Sequence, residues 1–410
     1  MATPAVSAGF LDARTPAPPT PPAPPSSGFR QKVLLHAAAV AGRAAGRAHR
    51  ERRLSATAVA ALDEAGFARH FVPHRWGGRE GSFSDVLTAA ATVAQGCTSA
   101  AWCAVLWAAH GRFASFLPHA AQAEIWGTSP DARIAAALAS TGSARAAGDG
   151  WVLEGEWSPV SGVDHADWVL LAARMDEALA ASRTGLFAVP RGAVEVRDTW
   201  NSAGMRGTGS HTVVVRDTFV PEHGVVDLHR VLAGEGPAGG ARCRTAPAHL
   251  AGGLMFAAPA LGAARAALKD WTAWAVRDGE GGARPLNSPG IPELLAQASA
   301  DIDAVELLFN QAAERADTAD VDSALVALNR RDAAVGAARL AGAVDSLLQP
   351  GAARSGEVDG ALQQRRRDVL TIASHGALRL GPAATAYALA LTPQDAADPE
   401  AGAERERTAR

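Results

Sequence analysis

The sequence predicts an α+β fold in three consecutive parts: an N-terminal helical domain, a central β-barrel or sandwich domain, and a C-terminal four-helix bundle. Apolar residues recur at helical spacing up to about residue 127 and again from about residue 249. Between them lie short Val- and Ala-rich runs separated by Gly, Pro and Asp, which indicate strands. A chain of 410 residues is also too long for one small core. We therefore expect domains at 29–130, 131–235 and 245–391.

Both ends of the chain have compositions that form no packed core. Residues 16–25 are almost entirely Pro and Ala, and residues 392–410 are rich in charge, Ala and Pro. We predict disordered tails at 1–28 and 392–410. The first tail lacks a basic segment followed by an apolar one, so it does not resemble a secretory signal.

Periodicity and capping residues predict the helices. Ser84 is the expected N-cap of a helix over 85–96, Ser99 is that of a helix over 100–116, and Pro118 opens a further short helix. Four longer helical stretches follow the β domain, and short loops between them favour an up-and-down bundle. These stretches are 249–278, 289–318, 320–349 and 358–380.

The β domain is predicted from short runs bounded by turn residues. The connections are too short for the helical crossovers of a βαβ unit. The predicted strands are 134–138, 150–157, 168–173, 185–189, 194–196 and 211–219.

Composition excludes several classes of function. A net charge of −3 gives no general attraction to nucleic acid or to anionic membranes. We see no apolar run of the roughly 18–20 residues that cross a bilayer. Cys97, Cys103 and Cys243 form no CxxC motif, so a reduced cytoplasm fits better than disulfides or a zinc site. No P-loop or GxGxxG motif is present, and we therefore expect no nicotinamide site.

Four segments carry residues suited to chemistry. The first places Trp102 and His110 on one helix face, eight residues apart, although a packed aromatic beside a surface histidine would give the same pattern. The second follows Trp157, where Ser161-Gly162 lets a backbone and a hydroxyl approach a ligand closely. An ordinary capped turn is the alternative for this second segment.

The third segment, residues 204–212, alternates hydroxyls with Arg206 and free backbone amides, which suits a polar or anionic ligand arm; a plain hairpin is the alternative. The fourth contains Arg367-Asp368 and then His375, near the end of a helix. A solvated charged face explains the arginines there, whereas a buried His375 could act as a base near neutral pH. Ten Trp against one Tyr also favour a pocket for a flat ligand.

In order and spacing, the four segments resemble the acyl-CoA dehydrogenase fold, and within it the two-component flavin-dependent monooxygenases of the 4-hydroxyphenylacetate hydroxylase type. The resemblance covers about 29–391 and is most specific at 72–78, 157–168 and 204–221. Dehydrogenases of this fold use a carboxylate base on the late helix. Here Ser374-His375-Gly376 follows Asp368 without a Glu, which disfavours dehydrogenation.

The resemblance also implies roles for individual residues. Trp102, His110 and His375 would contact the substrate, with His375 and His110 orienting or deprotonating a phenol. The hydroxyl of Ser161 would lie near flavin N5, which makes Ser161, His110 and His375 the predicted catalytic residues. The predicted flavin contacts are Trp157, Ser161, Arg206, Thr208, Ser210, Arg277 and Thr141.

The implied function is the oxygenase component of a two-component monooxygenase. Reduced FMN or FAD, supplied by a separate NAD(P)H:flavin reductase, would react with O2 to a C4a-hydroperoxide that hydroxylates a phenol-like or polycyclic aromatic, in secondary metabolism for example. The Ala-rich run at 135–139 favours a larger, more apolar substrate. A cytoplasmic homotetramer without nucleic-acid or membrane partners is expected. N- or S-oxygenation, as of an amino sugar, and a flavin-free cyclase or binding protein stay open as alternatives.

Overall fold

The predicted order of helices, strands and helices is confirmed. The computed structural model describes residues 28–176, 183–236, 240–277, 284–348 and 360–392. Nearly all of both predicted tails lies outside these ranges, and so does the end of the predicted helix 249–278.

Five helices form the N-terminal part. The fourth is the central one, because every one of its side chains is buried. The predicted helices 85–96 and 100–116 each begin two residues before the predicted start. The helices are α1 (Gln31–Glu51), α2 (Ala56–Ala65), α3 (Phe83–Ala94), α4 (Thr98–Ala114) and α5 (His119–Trp126).

Both predicted caps in this part are wrong. Ser82, and not Ser84, caps α3, since its hydroxyl accepts the amide N–H of Asp85 at 3.0 Å. Ser84 instead donates its hydroxyl to the Asp317 carboxylate at 2.6 Å, a partner from the distant bundle that the local sequence does not reveal. At α4 the N-cap is Cys97, and Ser99 lies inside the first turn.

Seven strands form one sheet in the order β5-β6-β2-β1-β3-β4-β7. All six predicted strands are present, some of them longer than predicted, and the short β7 is additional. The strands are β1 (Ile134–Ala147), β2 (Gly150–Val160), β3 (Trp168–Asp176), β4 (Arg183–Pro190), β5 (Glu195–Arg197), β6 (His211–Pro221) and β7 (Val225–Asp227).

The sheet is mixed and curves around its own core. Neighbours pair antiparallel except β1 and β3, which are parallel and joined through β2 without a helix. Side chains from β1, β2, β3, β4 and β6 form one buried cluster, and partly buried residues of β5 and β7 pack against it, so the sheet wraps around this core. The other face, which includes Ile134 and Leu170, packs on α4 and α5 through residues such as Phe113 and Trp126.

The C-terminal part is a helical bundle around its longest buried helix. The helices after the sheet are α6 (Leu228–Ala233), α7 (Arg242–Thr245), α8 (Ala248–Ala275), α9 (Ile291–Thr318), α10 (Ser323–Ser346), α11 (Gly360–Ala373) and α12 (Leu380–Leu391). The predicted helix 358–380 is therefore wrong at its end. The chain leaves the helix after Ala373, and the ring of His375 caps a short 3-10 turn before α12 begins.

Helix α8 also corrects the expectation that no segment is apolar and long enough to cross a bilayer. Its 28 residues pass that test by length and composition. However, 83% of the most apolar 18-residue window is buried inside the protein, against α3, α4, α9, α10 and α11. This burial is typical of the core helix of a folded bundle.

Candidate functional site

A cavity of about 670 Å³ lies where the sheet meets α4, α8 and the end of α11. Its walls are mostly apolar, and polar groups are confined to a few positions. Among the predicted site residues, those that line the cavity are Trp102, His110, Thr141, Trp157, Ser161, Thr208, Ser210 and His375.

One wall carries a continuous chain of hydrogen bonds. The indole N–H of Trp102 donates to Ser161 Oγ at 3.1 Å, and Ser161 Oγ lies 2.8 Å from Ser210 Oγ. Ser210 Oγ lies 2.6 Å from Thr208 Oγ1, whose hydroxyl donates to the carbonyl oxygen of Met205 at 2.7 Å. Four residues from three separate segments thus form one network, which we call the hydroxyl chain (Trp102, Ser161, Ser210, Thr208).

The two ends of the hydroxyl chain fix the direction of every proton in it. An indole N–H only donates, and a backbone carbonyl only accepts. Thr208 gives its single proton to Met205, so Ser210 must donate to Thr208 and Ser161 must donate to Ser210. The Ser161 oxygen therefore turns a free lone pair, and no proton, toward the cavity.

A strained loop holds the hydroxyl chain in place. Met205 and Gly209 adopt positive φ angles of 55° and 51°. The buried carboxylate of Asp368 accepts the Met205 amide N–H at 2.6 Å. Burial raises the pKa of Asp368 to about 6, against the opposing effect of this hydrogen bond. Asp368 thus anchors the loop and does not reach the cavity.

His110 is a buried imidazole with a defined tautomer. Its Nδ1 lies 2.9 Å from the Ile134 carbonyl, which can only accept, so the proton is on Nδ1. The neutral ring consequently keeps a lone pair on Nε2. Burial lowers the pKa of His110 to about 4, although the bond to Ile134 opposes the shift, and the ring stays neutral at pH 7.

His375 has the opposite tautomer and belongs to an aromatic cluster. Its Nδ1 accepts the Ala377 amide N–H at 3.2 Å, so the neutral ring carries its proton on Nε2. The ring centroid is 4.3 Å from that of Phe256 and 5.5 Å from that of Trp102. Burial lowers the pKa of His375. Neutral His375 can therefore donate from Nε2, whereas neutral His110 can accept there.

Trp157 forms a fixed apolar wall on the sheet side. Its indole N–H donates to the Ala172 carbonyl at 2.8 Å, and the side chain is fully buried. The ring lies so close to Gly142 that a Cβ there would be 2.2 Å from it, which explains the glycine. Thr141 lines the same wall and donates its hydroxyl to the Glu156 carbonyl at 2.7 Å.

The structure does not bring the two predicted phosphate-binding arginines to the cavity of this chain. Arg206 uses its guanidinium within its own loop and on α1, donating to the Asn201 side chain at 2.9 Å and the His49 carbonyl at 3.1 Å. Arg277 lies beyond the end of α8 and is exposed, donating to the Ala273 carbonyl. Neither arginine is among the residues that line the cavity, and their flavin contacts stay predictions.

The cavity residues that the sequence did not indicate include His249, Phe256 and Arg330. His249 and Phe256 lie seven residues apart on one face of α8, with Gly252 between them. A glycine on the apolar face of a long helix was a usable signal for a cavity wall. Arg330 gave no local signal, because only the packing of α10 brings it to the opening.

The chain is similar to known proteins over most of its length. The acyl-CoA dehydrogenase middle domain matches residues 125–218, and the acyl-CoA dehydrogenase C-terminal domain matches residues 254–380. The oxygenase subunit HsaA of a flavin-dependent monooxygenase from Mycobacterium tuberculosis is 30% identical over 330 residues, which is 77% of this chain and 83% of HsaA.

Two further similarities concern a shorter region and a solved structure. The oxygenase component of an FADH2-dependent resorcinol hydroxylase from Rhizobium sp. is 34% identical over 189 residues, 46% of each chain. The structure of XiaF from Streptomyces sp., in complex with FADH2 and glycerol, matches with a TM-score of 0.81 and 29% identity. That match covers 88% of this chain and 96% of XiaF.

Proposed function

Because this chain belongs to the flavin-dependent monooxygenase oxygenase components of the acyl-CoA dehydrogenase fold, which receive reduced flavin from a separate component, we propose that it hydroxylates a phenol-like aromatic compound. The observation that carries this proposal is the pair of imidazoles with opposite tautomers, His110 and His375, in one apolar cavity. In that cavity one ring offers an acceptor and the other a donor to a phenolic substrate.

The cavity wall fits a reduced flavin. It combines the flat indole of Trp157 with the free lone pair of Ser161. That lone pair can accept a hydrogen bond from the N5–H that reduced flavin carries and oxidised flavin lacks. Bound reduced flavin, as FMN or FAD, supplies the activation of O2. The hydroxyls of Thr208 and Ser210 support this contact by fixing the Ser161 proton, and Thr141 completes the polar edge of the wall.

We assign the role of hydrogen-bond acceptor to His110. Its Nε2 lone pair can accept a hydrogen bond from a phenolic hydroxyl, which orients the substrate and makes the ring carbon more nucleophilic toward an electrophilic oxygen. His375 would donate from Nε2 to the phenolic oxygen and stabilise the negative charge that develops there. Trp102 and Phe256 hold the ring of His375 and exclude water from this end of the cavity.

The cavity is poorly suited to dehydrogenation. Among the described residues that line it there is no Asp or Glu, so no carboxylate is placed to remove a proton from carbon. N- or S-oxygenation would need no proton acceptor for the substrate. The buried, neutral His110 therefore favours C-hydroxylation of a phenol over these alternatives.

We also propose an oligomeric state, a partner protein and a cellular location for this protein. Leu389 and Leu391 of α12 are exposed by 69% and 65%, and such an apolar face supports assembly into a homotetramer. The partner that supplies reduced flavin would be an NAD(P)H:flavin reductase, and the three reduced cysteines support a cytoplasmic location. We likewise propose that the three domains extend over residues 29–130, 131–235 and 245–391.

Stopped-flow absorbance tests the proposal. Purified protein with photoreduced FMN or FAD is mixed with O2, with 2-naphthol present or absent. We expect the flavin to oxidise through a transient spectrum distinct from its reduced and oxidised forms, and 2-naphthol to gain one hydroxyl. Oxidation identical to that of free flavin, with no hydroxylated product from any phenol offered, would contradict the proposed function.

A further inference from the structure

The outer end of the cavity carries two cationic or potentially cationic side chains without partners. Arg330 of α10 and His249 of α8 both line the opening. Throughout the described ranges, neither has a hydrogen bond or an ion pair, and Arg330 is the only formally charged residue that lines the cavity. The two lie near enough for the charge of Arg330 to lower the pKa of His249, an effect second to burial.

Most arginines in this protein are engaged. The next residue, Arg331, pairs with Asp332 at 2.6 Å and lies over the ring of Tyr387. A half-buried guanidinium at the opening of an apolar cavity, with no carboxylate in its lining, creates a positive potential there. An anionic group that enters the opening would find an unoccupied fork of donors.

The positions of cavity residues along helix α8 give the distance between the two ends of the cavity. His249, Gly252 and Phe256 lie on one face of the helix, and seven residues at 1.5 Å each place the first and last about 10 Å apart. Phe256 contacts His375 at the inner end. A Cβ on Gly252 would have no heavy atom within 4 Å, so the space between the two ends is open.

We propose that Arg330, with His249, is a binding site for a carboxylate on the aromatic substrate, distal to the ring that is hydroxylated. This inference rests on the proposed function and specifies its substrate class. The separation of the two ends corresponds to two fused rings, with a phenolic hydroxyl at His375 and the carboxylate at Arg330. A single hydroxylated ring would be too short to reach both.

The position of Arg330 favours the substrate over the flavin phosphate as the source of the anion. The hydroxyl chain that fits the flavin lies on the sheet side, through Ser161 and Ser210. Arg330 and His249 instead belong to bundle helices, and the helix face of His249 continues to Phe256, which packs on His375. The anion site thus lies along the wall that leads to His375.

Anaerobic titration calorimetry on the protein with reduced FMN bound tests the inference. The probes form two pairs: phenol with 4-hydroxybenzoate, and 2-naphthol with 6-hydroxy-2-naphthoate. We expect the naphthoate to bind at least about tenfold more tightly than 2-naphthol, and the one-ring pair to differ less. Arg330→Gln should abolish the naphthoate preference and raise the KM for it, while kcat changes little.

Arg339→Gln is the matched control, since Arg339 lies on the same helix, is more than half exposed and is remote from the cavity lining. It should keep the preference. Equal binding of 2-naphthol and the naphthoate to the wild type, or a preference that survives Arg330→Gln, would overturn the inference. So would an Arg330→Gln protein that loses affinity for reduced FMN but not for reduced riboflavin, because the anion would then be the flavin phosphate.

These outcomes separate the inference from the proposed function. A protein that hydroxylates phenols but shows no carboxylate preference has the function without the anion site. A protein that prefers the naphthoate through Arg330 but forms no product has the anion site without the function.

Discussion

The inner and outer ends of the cavity are built in opposite ways. At the inner end, each member of the hydroxyl chain already has its hydrogen-bond partners inside the protein, and their directions are fixed by Trp102 and Met205. At the outer end, Arg330 and His249 have no protein partner among the described residues. The inner end is therefore organised before any ligand arrives, whereas the outer end depends on a ligand to complete it.

The difference follows from solvent access. A buried polar group without a partner costs about 1–3 kcal/mol, so a closed inner wall must be satisfied by the protein itself. At the opening, water can solvate the guanidinium until a ligand displaces it. The inner end, with its fixed hydrogen bonds, suits a cofactor that is the same in every turnover, such as a flavin. The outer end, with its unpaired cation, suits recognition of a specific substrate.

The largest effect is expected at the inner end, from His110→Asn. The amide of Asn can still donate toward the Ile134 carbonyl, but it cannot offer the acceptor that Nε2 of His110 provides. Loss of a proton acceptor should lower kcat for a phenol about 100-fold or more. Product formation under saturating reduced flavin measures this. His375→Gln retains a donor and should cost less, and the reverse ranking would exchange the two roles.

Next in size is Ser161→Ala, which removes the outward lone pair at the centre of the hydroxyl chain. We expect roughly a 10- to 100-fold fall in hydroxylated product relative to hydrogen peroxide, corresponding to about 1.4–2.7 kcal/mol. Ser158→Ala is the control. Ser158 also lines the cavity but accepts from Thr212 at 3.1 Å, and its own proton has no acceptor among the described residues. An equal loss in both variants would show that hydroxyl direction is unimportant.

A smaller and selective effect is expected between the two ends, from Gly252→Leu. The new side chain would occupy the open space beside α8. The KM for 6-hydroxy-2-naphthoate should rise about tenfold through steric exclusion, while that for phenol should change less than about threefold. Gly342→Leu, on an open face of α10 outside the cavity, is the control. Similar losses for one-ring and two-ring substrates would mean that the phenol also occupies the outer half.

The smallest effect is expected from acid. Burial lowers the pKa of His110 to about 4, so its acceptor form persists down to that pH and is lost only as the pH falls through it. Between pH 7 and pH 5, protonation of His110 should therefore reduce kcat/KM by only about 10%. A pH profile with a supplied phenol checks this. A half-maximal rate near pH 6 would instead point to Asp368, the loop anchor whose pKa burial raises to about 6.

The sequence predicted the helices and strands better than the residues at which they begin and end. Alternating and helical apolar patterns located six strands and most helices, because an element that buries one face has apolar residues at regular spacing in its own sequence. The caps at Ser84 and Ser99 were misplaced, since a serine can serve a distant carboxylate such as Asp317 as readily as its own helix. Helix α12 was missed because the apolar pattern continues past the break at His375.

The sequence by itself determined the three-part fold, the flavin-dependent family and most residues of the inner wall, because these depend on local patterns and on motifs such as residues 204–212. Only the tertiary structure decided how those residues act. The proton direction of Ser161 depends on Trp102, 59 positions earlier, and on Thr208 and Ser210, nearly 50 positions later. The tautomers of His110 and His375 and the unpartnered charge of Arg330 likewise arise from neighbours that packing alone supplies.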